Sequence, residues 1–175
     1  MSQHSAPTTG TTENLHSFFH RRITMAIDHQ NVDTSDATVW YLCHLLADYA
    51  RSERLFDFTE HGIALRPLAE LYAGSVAASS RAERDLLLQR LGDVALFVAG
   101  LFSGLLDHPR RPIGIDYYIG MGESAYSSLA YRQQTARNEV FAELADQFPL
   151  FVAVLNEVGG HKGSPLPGFS AGHLH

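Results

Sequence analysis

Three side chains near the start of the chain could hold a metal ion. In "ENLHSFFH", Glu13, His16 and His20 are spaced three and four residues apart, which stacks them on one face of a helix. One carboxylate and two imidazoles suit a borderline ion such as zinc, and a Glu-x-x-His step also occurs in carboxylate-bridged di-iron bundles. Those bundles need a second such step. None follows, and "HLLAD", with His44 and Asp48, is an indifferent substitute. The competing expectation places His16 and His20 on the polar edge of a first helix, a common station for histidine. No cofactor is expected beyond a metal at this cluster. His161, His173 and His175, among ten histidines, fall near the C-terminal end, where they would bind metal adventitiously.

Asp93 is the second candidate. It opens the run "VALFVAGLFSGLL" and has almost no polar neighbours in sequence, yet an unpaired buried carboxylate is costly. A partner must come from elsewhere. Arg66, Arg90, or a hydroxyl of Tyr117, Tyr118 or Tyr126 could serve. Two expectations follow: a structural hydrogen bond between helices or a solvent-facing carboxylate on the one hand, and on the other a polar wall of Asp93, Tyr117, Tyr118, Met121 and Glu123 around an otherwise apolar ligand pocket between two helices.

Nucleophilic chemistry finds less support, and no catalytic residue is assigned. Cys43 and His44 are adjacent, so on a helix their side chains point about 100° apart and cannot readily pair. "GESAYSS" has Tyr126 where a nucleophile elbow requires glycine. "GIDYYIGMGESA" lacks the dinucleotide-binding glycine spacing.

The elements that must position these groups are helices. Apolar residues recur at helical spacing from about Asn14 to His29, and again from Ser35 or Asp36 to about 52–56. Pro67 suits the first turn of a third helix ending near Ala78. Ser80 and Glu83 have the spacing of a capping box and start a long helix, 83–106, halted before "DHPRRPIG". Ile115 to about Tyr131 follows, then Val140 to Ala145, then a helix opened by Pro149 and stopped at Gly159-Gly160. No hairpin pattern stands out. The expected fold class is therefore an all-α single-domain bundle of about six or seven helices around a central buried apolar helix. Residues 13–159 form its domain, between disordered tails at 1–12 and 160–175.

Small residues crowd the central helix: Gly92, Ala99 and Ser103 lie close around its axis, Gly100 and Gly104 beside them, with Gly120 and Gly122 a segment later. Close helix packing is the expectation, since internal glycine needs compensation. The apolar run is too short to span a membrane, which needs about 20 such residues.

Composition narrows the function. The 175 residues carry 13 basic and 19 acidic side chains, a net charge of −6, with no basic block to attract a phosphate backbone, so nucleic acid is not an expected partner. The one cysteine forbids an internal disulfide, and the first residues lack a secretory pattern, which together favour the cytoplasm. A peripheral membrane role for the first helix would rest on Arg21 and Arg22 alone.

"RLGDVALFVAGLF" followed by "DYYIGMGESAY" resembles a pattern in uncharacterised bacterial proteins of similar length, over about the central half of the chain. The resemblance implies a compact helical protein and carries no activity. The expected function is non-enzymatic: binding a protein partner or itself as a homo-oligomer, through aromatics such as Trp40, Tyr41, Phe56, Phe58 and Tyr131. The alternative is a small-molecule or metal-binding protein, including an enzyme.

Overall fold

The computed structural model describes residues 10–51, 56–59, 62–65, 68–106, 113–132 and 137–160; the side chains of 10–14, 56–59, 62–65 and 105 lie outside that description. The expected tails fall outside it too, except that 10–12 are helical and Gly160 belongs to the turn that ends the last helix. The helices are α1 (Gly10–Gln30), α2 (Asp36–Arg51), α3 (Leu68–Ala77), α4 (Arg81–Leu101), a single turn α5 (Ser103–Leu106), α6 (Ile115–Arg132), α7 (Arg137–Asp146) and α8 (Phe148–Val158). Counting those longer than one turn gives seven among the described residues, and the fold is the expected all-α bundle.

Local sequence explains the ends. Asn31 takes a left-handed conformation (φ 52°) after α1. Its amide donates to the Asp28 carbonyl and that of Val32 to the Ile27 carbonyl. Both bonds satisfy carbonyls that the last turn leaves open. Ser80 caps α4 by accepting from the Glu83 amide at 3.1 Å, while Glu83 reaches back to the Ser79 amide, close to the reciprocal pattern that the Ser80–Glu83 spacing implies. Pro149 sits in the first turn of α8, and Gly159-Gly160 ends it.

The helix expected over 83–106 is interrupted. α4 stops at Leu101, Phe102 leaves helical geometry (φ −121°, ψ 24°), and α5 resumes at Ser103. Ser103 accepts a hydrogen bond from Asn156 Nδ2 of α8 at 2.5 Å, and Ser and Gly at 103 and 104 give the helix little intrinsic support. Sequence analysis also misses a small antiparallel hairpin, β1 (Phe56–Thr59) with β2 (Gly62–Leu65), in register Phe56↔Leu65 to Thr59↔Gly62. Phe-Asp-Phe-Thr does alternate, but over four residues and without an Asn-Gly or Asp-Gly turn signal.

α4 is the axis of the bundle, packed by α3, α6 and α8, while α1 bridges α2 and α8. From Val94 to Gly100 every residue of α4 is buried, so the apolar run fills a core on all sides of the helix. No helix of the described residues is long and apolar enough to cross a membrane. The glycines allow the close approach: a Cβ on Gly92 would lie 2.6 Å from the Tyr126 ring, and one on Gly100 would lie 2.5 Å from Leu155 Cβ. Gly92 faces Tyr126 and Ala95 faces Gly122, so α4 and α6 run antiparallel.

One interhelical cap spans the chain. Glu143 of α7 accepts from the Ser35 amide, the Ser35 hydroxyl and the Thr38 hydroxyl, each at 2.8 Å, at the N-terminus of α2. Burial pushes its carboxyl up, but these donors outweigh that and hold it below the usual 4.5. A depressed carboxyl contributes stability that is present above its unfolded pKa and lost as pH falls through the folded value. Glu143→Gln should therefore lower the unfolding free energy at pH 7, read from urea denaturation, by about 1 to 2 kcal/mol, and the gap from wild type should close in acid. A gap unchanged at pH 3 would refute the assignment.

Candidate functional site

Asp93 sits on the α4 face that meets α2 and α6. Its Oδ1 accepts two hydrogen bonds, from the Tyr41 hydroxyl at 2.6 Å and the Tyr126 hydroxyl at 2.7 Å. Gln89, one turn before Asp93, donates through Nε2 to the Tyr41 oxygen at 3.1 Å. Tyr126 is fully buried between Gly92, Phe141 and Phe148. Three helices are therefore joined at one oxygen atom.

Burial raises the Asp93 carboxyl to about 6; the tyrosine hydroxyls pull against that rise and the charge of Asp48 adds to it. Burial, then the Asp93 charge, pushes both tyrosine hydroxyls upward, so they stay protonated and remain donors. Asp93 is one of the residues that line a groove of about 420 Å³. α2 contributes Leu45, Asp48, Tyr49 and Arg51 to its walls, and α4 contributes Leu86, Gln89, Arg90 and Asp93.

Of the partners that sequence analysis offers Asp93, Tyr126 is present and Tyr117 and Tyr118 are not. In the antiparallel α4–α6 pair, these two lie four to five residues before Gly122, more than one helical turn beyond the level of Asp93. Their rings meet edge to face at 5.8 Å. Met121 and Glu123 flank Gly122, each partly buried. None of these four lines the groove, which lies between α2 and α4; Arg66 lies outside the described residues. Tyr41, expected as a surface aromatic, turns inward to Asp93 instead. Its position four residues before Leu45 on the apolar stripe of α2 is the signal that could have found it.

The histidines also regroup. Glu13 is helical in α1, but its side chain lies outside the described residues. His16 pairs across the helix seam with His44 of α2, Nε2 to Nδ1 at 3.0 Å. Trp40, 52 % exposed, stands beside them, its ring 5.5 Å from that of His16, 5.6 Å from His20 and 6.2 Å from His44. Among the described residues no group of three or more His, Cys, Asp or Glu converges to hold a metal ion. Cys43 is fully buried, and burial pushes its thiol up to about 11, so it packs in the core as a protonated thiol at neutral pH. The apolar face of α1 packs into the core through Phe19, Ile23, Ala26 and Ile27.

Fold and site define a class: an all-α bundle with a carboxylate-centred polar junction and a shallow groove above it. No protein-family model, curated protein or solved structure matches the chain.

Proposed function

We propose that the protein is a non-enzymatic helical module that acts by self-association, with the α2–α4 groove face as the contact. The observation that carries this reading is Leu86, 67 % exposed at the groove wall. Trp40 lies on the same outward stripe of α2 as His44, Asp48 and Arg51, all exposed, so the two helices bordering the groove each present a large apolar side chain to water. Of the two, Leu86 stands on the groove wall itself, and an exposed apolar side chain at a concave surface favours a contact there. The walls carry both charge signs, Asp48 and Asp93 with Arg51 and Arg90. In a two-fold contact each copy presents the same residues to the other, so a surface of mixed sign can pair with itself. The cytoplasmic location belongs to the same proposal.

Sedimentation at micromolar concentration tests it. Wild type should sediment as a dimer, and Leu86→Asp should weaken the association at least tenfold with helical circular dichroism unchanged. A wild-type monomer, or a dimer indifferent to the substitution, would overturn the reading.

The presence of Asp93 among the groove-lining residues favours a second reading, a small ligand seated in the groove. Native mass spectrometry separates the two, because a stoichiometric added mass lost in Asp93→Asn would point to the ligand.

A further inference from the structure

We propose that His16 and His44 form a two-imidazole site for a divalent late transition metal on the α1–α2 seam, with Trp40 as its built-in reporter. Each histidine begins an i, i+4 pair of potential ligands, His16 with His20 on α1 and His44 with Asp48 on α2, the helical spacing that lets two ligands reach one ion. The bundle brings the first member of each pair together. With metal–nitrogen bonds of about 2.1 Å, the 3.0 Å between Nε2 and Nδ1 subtends about 90° at an ion. That is the cis angle of an octahedral or square-planar centre and is tighter than a tetrahedral one.

His44 is exposed and His16 is half-buried, so small rotations about their side-chain bonds bring both lone pairs onto one point. The hydrogen bond that now joins the rings requires one of these nitrogens to carry a proton. In a neutral pair, that proton moves to the other nitrogen of its own ring when the ion enters, and no net proton is lost. Two imidazoles from the protein and water in the remaining positions complete the shell. This site differs from the Glu13, His16 and His20 set that the sequence spacing suggests, because the second imidazole comes from α2. It does not rest on self-association, since it is complete within one chain.

Cobalt(II) titration of the full-length protein tests the site through tryptophan fluorescence. Trp40 is the only tryptophan of the chain, so the emission reports metal held close to it, and the histidine variants assign the ligands. Emission should be quenched saturably with one ion bound near Trp40 and restored by EDTA. His16→Gln and His44→Gln should each weaken the response at least tenfold, and His29→Gln, on the far side of α1 in contact with Glu157, should leave it as in wild type. Quenching that does not saturate, or a titration of His44→Gln superimposable on wild type, would overturn the proposal.

Discussion

Gly122→Val is expected to lower the unfolding free energy by about 3 kcal/mol or more, and Gly120→Ala, two residues earlier on the same helix, to raise it by up to about 1 kcal/mol. The contrast comes from what each new side chain meets. A Cβ on Gly122 would fall inside contact distance of the Phe148 ring and 3.1 Å from Ala95 Cβ. Phe148 is fully buried, and its ring lies 5.9 Å from that of Tyr126, so it cannot move aside without disturbing the tyrosine that holds Asp93. Interiors packed this closely transmit strain. Nothing lies within 4 Å of a Cβ at Gly120, so alanine there only removes the entropic cost of glycine in a helix. Urea denaturation of both variants measures the difference. Equal midpoints would show that α4 and α6 do not approach as described.

Asp93→Ala is expected to cost about 2 to 4 kcal/mol at pH 7, because it leaves two tyrosine hydroxyls without their acceptor, at about 1 to 3 kcal/mol each. Tyr41 keeps its bond from Gln89, so the larger share falls on Tyr126. Asp93→Asn behaves differently. The amide oxygen still accepts from both hydroxyls, and no charge is buried.

The pH dependence follows from the raised carboxyl. Between 3.8 and about 6 the folded protein holds a proton that the unfolded chain has released. Stability contributed at this position therefore rises as pH falls from 7 toward 4, and declines as pH climbs through 6. The shift corresponds to at most about 3 kcal/mol. Asparagine lacks this dependence, so the stability of Asp93→Asn relative to wild type should be greatest at pH 7 and shrink by up to that amount near pH 4. Chemical denaturation at the two pH values reads it directly. A difference independent of pH would mean that the carboxylate is well solvated.

Glu143 and Asp93 show how two carboxylates in one bundle acquire opposite signs. Glu143 is half-buried and meets three donors at a helix N-terminus, where negative charge is favoured. Asp93 meets two hydroxyls on a single oxygen and has Asp48 as the neighbouring charge. Donor number outweighs desolvation in the first case and falls short of it in the second.

Features that depend on residues three or four apart were legible in the amino-acid sequence. The cap of α4 by Ser80 and Glu83, the start of α8 at Pro149, its end at Gly159-Gly160, and the buried run after Asp93 all follow from local backbone geometry and hydrophobic period. So does the need of Asp93 for a partner, since desolvation cost depends on the residue and its apolar setting. Helical period shows which face of each segment turns inward, but not which other face it meets. That left the carboxylate joined to Tyr41, 52 residues away, where Tyr117 and Tyr118 had been candidates. It also hid the cap on α2 from a glutamate 108 residues distant, and the pairing of His16 with His44 across a seam. Those contacts depend on the crossing of packed helices, which is set by the fit of whole side-chain surfaces and the glycines that let them close, so only the tertiary structure could decide them.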